Sequence, residues 1–195
     1  MTQEPGRSCP IAYRTAPEDL ARKTPQPAHT LYVIGGLYGN RQALEDVEAL
    51  AEREAAKGLP RPTLVFNGDF NWFNAEAAAM GEINDRVLAH PALQGNVETE
   101  MADPEPGAGC GCAYPEWVDA AMVERSNQIM ERLKGVVESQ PRIRDRLRSL
   151  PRQLRFQVGD CRIGVIHGDP ESLAGWGLAV EAMPEPGQGD ATIEG

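Results

Sequence analysis

The chain has 195 residues, which suits a single domain large enough to bury a core. Hydrophobic residues make up 41% and charged residues 25%, and this composition excludes a mainly disordered chain. The net charge of −10 argues against binding to nucleic acid or to an anionic membrane, because both need clustered Lys and Arg side chains.

The N-terminal residues do not resemble a secretory signal, because Arg7, Pro5 and Pro10 interrupt any apolar segment. No apolar run approaches the roughly 20 residues that are needed to span a bilayer. We therefore expect a cytoplasmic protein. In a reducing compartment its four cysteines are expected to be free thiols. These are Cys9, Cys110, Cys112 and Cys161.

The first part of the chain is predicted to be an arm followed by a strand and a helix. Residues 1–29 carry five prolines and little periodicity, which predicts an extended arm that either lies over the core or stays mobile. The apolar run at 31–34 is typical of a buried strand and turns at Gly35. Asn40 is a good N-cap for an amphipathic helix that should end near Gly58.

Strands and helices continue to alternate along the remaining chain. A strand over 63–66 and an amphipathic helix before Pro91 precede a long loop at 101–115 and the longest helix, at 118–136. Two runs at 153–158 and 162–166 indicate a hairpin with a tight turn. The pattern predicts an α/β domain over residues 30–183, with a flexible tail over 184–195.

Three polar side chains follow predicted strands, where ligands bind in α/β sheets. Asp69 follows the second strand, Asn96 follows a short run around Leu93, and His167 ends the last strand. We expect a carboxylate, an amide oxygen and an imidazole to meet at one point. This mixture of oxygen and nitrogen ligands suits Mn, Fe or Zn better than Ca.

Four short stretches, at 34–40, 67–69, 95–98 and 167–169, resemble the calcineurin-like metallophosphoesterase family in their order and near-spacing. The family pattern is D-x-H-G-N, then G-D, then G-N-H-[DE], then H, then G-H-x-H. The resemblance covers residues from about 31 to 169. It implies an α/β/β/α sandwich with helices outside two sheets, whose C-terminal part is reduced or truncated in this chain.

The resemblance also implies roles for individual residues. Asp69 would be the carboxylate that bridges two metals in relatives, and Asn96 and His167 would be ligands of the second metal. Gly36 stands where the family has a metal-binding Asp, and Tyr38 stands where it has a His. We therefore expect one divalent transition metal per site rather than two.

Two further departures from the family pattern concern the general acid and the last motif. Val97 replaces the His that donates a proton to the leaving group in many relatives, whereas Glu98 keeps the acidic position. No G-H-x-H motif follows Gly168, so either the chain stops before it or another group replaces it. A truncated sheet would expose its edges, and copies of the chain could pair at these edges to form a homo-oligomer.

The phosphate of a substrate is predicted to lie at the start of the first long helix. Gly39 and Asn40 stand at this helix N-terminus, where free backbone N–H groups favour phosphate without any side-chain charge. Tyr38 is interpreted first as a packed aromatic whose hydroxyl finds a hydrogen bond. Its alternative roles are a phosphate contact and a replacement acid.

These features predict a metal-dependent hydrolase of small-molecule phosphate esters, with water activated at Asp69, Asn96 and His167. The alternative is a non-catalytic binding module that keeps the fold and a pocket, which explains the missing Asp and His positions more simply. Cys110 and Cys112 are interpreted as free thiols in a loop. A redox pair, or a metal site completed by Cys9 or Cys161, is the functional alternative for them.

Overall fold

The structure, a computed structural model, describes residues 4–182. Six α-helices and six β-strands lie within this range, together with short 3-10 turns at Ile11–Tyr13 and Val180–Ala182. The helices are α1 (Pro17–Arg22), α2 (Arg41–Ala55), α3 (Ala77–Val87), α4 (Asn96–Ala102), α5 (Ala120–Glu138) and α6 (Pro141–Arg148). The strands are β1 (Gln26–Pro27), β2 (Leu31–Ile34), β3 (Thr63–Asn67), β4 (Ala92–Leu93), β5 (Gln153–Val158) and β6 (Cys161–Ile166).

The strands form two sheets of three strands each within the described residues. The first sheet has the order β2-β3-β4 and is parallel throughout, as expected for strands joined by helical crossovers. The second has the order β1-β5-β6, with β1 parallel to β5 and β5 antiparallel to β6. The prediction of an α/β fold is confirmed at this level.

Successive side chains of β3 point to opposite faces of the strand and belong to two different apolar clusters. Val65 faces the second sheet and packs with Phe156 and Val165. Leu64 and Phe66, which point to the opposite face of the strand, pack against the helices. The helical side of this cluster is formed by buried residues that include Leu44, Met80, Ile83, Leu133 and Leu147.

The outer face of the second sheet carries the short helix α1. A Cβ placed on Gly164 of β6 would lie 2.7 Å from Leu20 of this helix, so the glycine lets α1 approach the sheet closely. The Arg155 guanidinium of β5 donates to the backbone carbonyls of Ala21 and Lys23 at the end of the same helix. The layers are therefore helices, sheet, sheet and one short helix.

Residues 4–29, which were predicted to form an extended arm, contain α1 and β1 and lie over the core. Tyr13 is fully buried, and its hydroxyl donates to Glu100 Oε1 over 2.5 Å. The predicted flexible tail over 184–195 lies outside the described residues.

The predicted hairpin is present as β5 and β6. Cys161 belongs to β6 and pairs with Val158, so the turn consists of Gly159 and Asp160 alone. Helix α4 was not predicted, because all seven of its residues are buried and no alternation of polar and apolar residues marks it. Across the described residues, no helix combines the length and the apolar composition that crossing a membrane requires.

Replacing Tyr13 by Phe removes the hydrogen bond to the buried Glu100 carboxylate and leaves its oxygen less satisfied. We expect the free energy of unfolding to fall by about 1–3 kcal/mol. Urea unfolding followed by tryptophan fluorescence measures the change. The control is Tyr32→Phe in β2, and an equal loss in both variants would contradict a specific role for the Tyr13 hydroxyl.

Candidate functional site

Three segments bring polar side chains together at the carboxyl edge of the first sheet. Asp69 follows β3, Asn96 opens α4 just after β4, and His167 follows β6 of the second sheet. His167 Nε2 lies 3.5 Å from Asp69 Oδ1 and 3.2 Å from Asn96 Oδ1. The structure thus brings together the three side chains that were predicted to hold a metal.

Hydrogen bonds fix which atoms of this trio face one another. His167 Nδ1 lies 2.8 Å from the backbone carbonyl of Asn67, which only accepts, so Nδ1 carries a proton. The Asn96 amide nitrogen donates to the carbonyl of Cys110, which turns its oxygen toward His167. Asp69 Oδ1 accepts the backbone N–H of Val97. Electron-pair donors from all three side chains therefore converge, and a positive group between them stabilises the arrangement.

In the absence of a metal, a proton on His167 Nε2 is this positive group. Burial alone would lower the pKa of His167, but the charge and hydrogen bond of Asp69 and the Asn67 carbonyl raise it to about 9. The charge of Glu98 adds to this effect. At neutral pH the imidazolium and the Asp69 carboxylate form a partly buried ion pair.

The same geometry suits a small divalent cation in place of the proton. Zinc ligands at about 2.0–2.1 Å in a tetrahedron lie about 3.3–3.4 Å from one another. The distances of 3.5 and 3.2 Å from His167 Nε2 to the two oxygens are close to this spacing. The described residues contain no group of three His, Cys, Asp or Glu side chains placed to hold a metal. A cation between Asp69 and His167 would need the Asn96 amide oxygen as its third protein ligand.

Glu98 holds the backbone of Asp69 and Gly95 in place, a role that the sequence did not predict. Its fully buried carboxylate accepts the backbone N–H groups of Asp69 (2.7 Å), Gly95 (3.0 Å) and Asn71 (3.1 Å). The Asn71 side chain donates a fourth hydrogen bond. Burial and the neighbouring charge of Asp69 raise the pKa of Glu98 to about 7, although the three backbone donors lower it. Glu98 lies three residues after the N-cap Gly95, and this capping-box spacing is the signal that could have identified it.

Two glycines allow the turn after β3 and the start of α4 to approach each other closely. A Cβ on Gly68 would lie 2.5 Å from the backbone nitrogen of Gly95, and a Cβ on Gly95 would overlap the Asp69 carboxylate. Asp69 itself has φ +53°, a left-handed conformation that costs about 1–2 kcal/mol for a residue with a side chain. A strained residue held by its surroundings is common at functional sites.

A cavity of about 380 Å³ opens in front of the trio. Its walls include Cys112 and the aromatic residues Tyr38, Trp72, Tyr114 and Trp176. Burial and the charge of Asp69 raise the pKa of Tyr38, so its hydroxyl keeps a proton to donate. The cavity therefore combines a charged floor with aromatic walls.

Tyr38 also fills the space in front of Gly36, where the family has a metal-binding Asp. A Cβ on Gly36 would lie 3.1–3.4 Å from the Tyr38 ring and hydroxyl. A side chain at position 36 would push the tyrosine by a few tenths of an ångström and would be strained by the backbone φ of +61°. Gly36 and the Tyr38 ring are thus packed against each other.

The backbone N–H groups of Gly39 and Asn40, which were predicted to contact phosphate, both donate hydrogen bonds within the protein. Gly39 donates to the carbonyl of Phe70 over 2.8 Å, and Asn40 donates to that of Leu37 over 2.9 Å. The Asn40 side chain caps α2 by accepting the N–H of Ala43. These residues have packing and capping roles, and Tyr38 alone of the three predicted phosphate contacts lines the cavity.

The expectation of four free thiols is also corrected. Cys110 and Cys112 are joined by a disulfide, whereas Cys9 and Cys161 are free and exposed. The redox pair that was one alternative for the C-x-C sequence stays a prediction. Cys112 lies at the cavity wall, where its sulfur is 3.7 Å from the Asn96 amide nitrogen.

Comparison with known proteins adds no further support for an assignment. No model of a protein family matches the chain, and no curated protein sequence does either.

Replacing Glu98 by Gln puts an NH2 group against backbone N–H donors and leaves at least one of them unpaired. We expect a loss of about 1–3 kcal/mol in the free energy of unfolding. Urea unfolding measures it, with Glu116→Gln as a control at an exposed position. Equal stability of the two variants would show that the Glu98 carboxylate does not hold the site together.

The ion pair of Asp69 and His167 predicts a pH dependence of stability. The folded-state pKa of about 9 lies above the ordinary value of 6.5, so the stabilisation is complete below the lower value and is lost as pH rises through the higher one. We expect metal-free protein to lose on the order of 2–3 kcal/mol between about pH 6 and pH 10.

Urea unfolding across this range, with a chelator present, measures the loss. Asp69→Asn is the matched variant and should show a much flatter profile, because it removes the charge that raises the pKa of His167. Parallel profiles for the two proteins would contradict the ion pair.

Proposed function

We propose that this protein is a metal-dependent hydrolase of phosphate esters that holds one divalent transition metal at Asp69, Asn96 and His167. The observation that carries the proposal is the approach of two oxygens to His167 Nε2, Asn96 Oδ1 at 3.2 Å and Asp69 Oδ1 at 3.5 Å. A charge of −10 also favours a cation at any site that takes an anionic substrate. Mn, Fe and Zn all accept this donor set.

The order of motifs and the layers of the fold support membership of the calcineurin-like metallophosphoesterase fold. Two sheets share an apolar cluster, with most helices on one side and α1 on the other, as an α/β/β/α sandwich requires. Asp69, Asn96 and His167 stand at the strand ends where the resemblance puts metal ligands. We infer a cytoplasmic enzyme acting on a small-molecule phosphate ester.

A bound divalent cation would supply Lewis-acid chemistry, which neutralises charge on the phosphate and lowers the pKa of water. The surrounding residues position the metal ligands and supply a proton donor. The Asn67 carbonyl holds His167 in the tautomer that offers Nε2, and Glu98 fixes the backbone of Asp69. The Tyr38 hydroxyl is a proton donor at the cavity wall, suited to a phosphate oxygen or to the leaving group.

A non-catalytic binding module is the second candidate. It is favoured by Val97, which stands in place of the family's general acid and packs its side chain into the helical core. It is also favoured by the Tyr38 ring, which fills the space in front of Gly36. In this case the same cavity would bind a ligand without turning it over.

The test is hydrolysis of generic phosphomonoesters and phosphodiesters by purified protein with added Mn²⁺. Asp69→Asn should reduce the metal-dependent rate by more than about 100-fold, since loss of a supporting residue alone commonly costs 10–100-fold. Asp160→Asn makes the same chemical change at the exposed turn between β5 and β6 and should leave the rate unchanged.

Equal rates in wild-type and Asp69→Asn protein would indicate a contaminating enzyme or a different site. Binding of Mn²⁺ by wild-type protein, with no turnover of any substrate, would favour the binding module. Metal binding is measured by equilibrium dialysis, with Asp69→Asn again as the matched variant.

A further inference from the structure

The disulfide between Cys110 and Cys112 lies at the edge of the cavity that holds the trio. Cys110 is fully buried, whereas Cys112 is partly exposed and forms part of the cavity wall. The Cys112 sulfur lies 3.7 Å from the amide nitrogen of Asn96, whose oxygen faces His167. A disulfide therefore borders the proposed metal ligands.

We propose that reduction of this disulfide frees Cys112 as a thiolate ligand for the cation at Asp69, Asn96 and His167. The inference rests on the proposed metal site and adds a ligand and a redox dependence to it. The oxidised protein offers three ligands and binds a cation weakly. The reduced protein offers four ligands, including a thiolate, and binds zinc-like metals more tightly.

Cys112 is the residue of the cavity wall that can supply a fourth metal ligand. A tetrahedral site needs four ligands, and the trio supplies an imidazole, a carboxylate and an amide oxygen. Among the described residues that line the cavity, Cys112 is the one further Cys, His, Asp or Glu. A thiolate is a strong ligand for zinc and iron, whereas a sulfur in a disulfide carries no charge to offer.

The loop holds its backbone in place independently of the disulfide. The N–H of Cys110 donates to Asn127 Oδ1 over 2.9 Å, and the carbonyl of Cys112 accepts the indole N–H of Trp176 over 3.0 Å. Between them, Gly111 has φ +69° and lies against the Tyr13 hydroxyl, too close for a side chain. Reduction can therefore free the Cys112 side chain to rotate while the loop stays beside the trio.

Reduction of the disulfide between Cys110 and Cys112 needs a dithiol as reductant. Its first thiolate attacks the accessible Cys112 sulfur, which forms a mixed disulfide and releases Cys110 as a thiolate that takes up a proton. Its second thiolate displaces Cys112 and closes the disulfide of the reductant. Two electrons thus pass to the protein, and the Cys112 thiol gives its proton to solvent when a cation binds.

Cobalt(II) tests the proposal, because a thiolate ligand adds a charge-transfer absorption in the near ultraviolet. Protein carrying Cys9→Ser and Cys161→Ser is used as background, which removes the other two thiols. The protein is reduced with a dithiol, the dithiol is removed under argon, and Co²⁺ is titrated. We expect the thiolate band only after reduction, with at least a 10-fold tighter binding of Co²⁺ than in the oxidised protein.

Two single variants provide matched controls. Cys110→Ser prevents the disulfide but keeps Cys112, so the band should appear without reduction. Cys112→Ser should lack the band in both redox states. Circular dichroism checks that each variant remains folded.

The outcomes separate this inference from the proposed function. Binding of Co²⁺ to the reduced protein without a thiolate band, or a band that persists in Cys112→Ser, would overturn the role of Cys112 and leave the metal site in place. Failure to bind Co²⁺ in either redox state would overturn the metal site itself, and the inference with it.

Discussion

The Glu98 carboxylate accepts N–H groups from two segments that are distant in sequence, the turn after β3 and the start of α4. A buried carboxylate is tolerated only when such donors surround it, and they surround it only when both segments are in place. The position of Asp69 therefore depends on Glu98, and the position of Asn96 depends on the same helix start. The convergence on His167 follows from this contact.

Electrostatics then decides what occupies the centre of the site. Asp69 and Glu98 concentrate negative charge in a protein whose net charge is already −10, and His167 takes up a proton to balance part of it. A divalent cation would compete with that proton for the same electron pairs. In the proposed function, the contacts that stabilise the imidazolium would also hold a cation, and cation binding would then be coupled to pH.

Strands β2 and β3, the alternation with helices and the hairpin of β5 and β6 followed from local patterns, because apolar periodicity and glycine turns are properties of short segments. Strand β1, which lies in the predicted arm, did not follow from them. The approach of Asp69 to Asn96 also followed, since the ends of neighbouring parallel strands meet at one edge of a sheet. His167 follows a strand of the second sheet, so its position depends on how the two sheets pack. The Gly39 N–H donates to the Phe70 carbonyl, and these two residues belong to loops that meet only when the chain folds. Local sequence patterns could not predict this hydrogen bond. The disulfide was missed because thiols were assigned from the expected compartment, although only one residue separates the two cysteines.

The pairing of β1 with β5 has a consequence for how the protein is made. Gln26 has Phe156 as its partner in the sheet, so an early segment must wait for one of the last strands before it can pair. Contacts between such distant segments close late and slow the search for the native state. On a ribosome, the parallel sheet and its helices can assemble first, while β1 stays unpaired until β5 has been made.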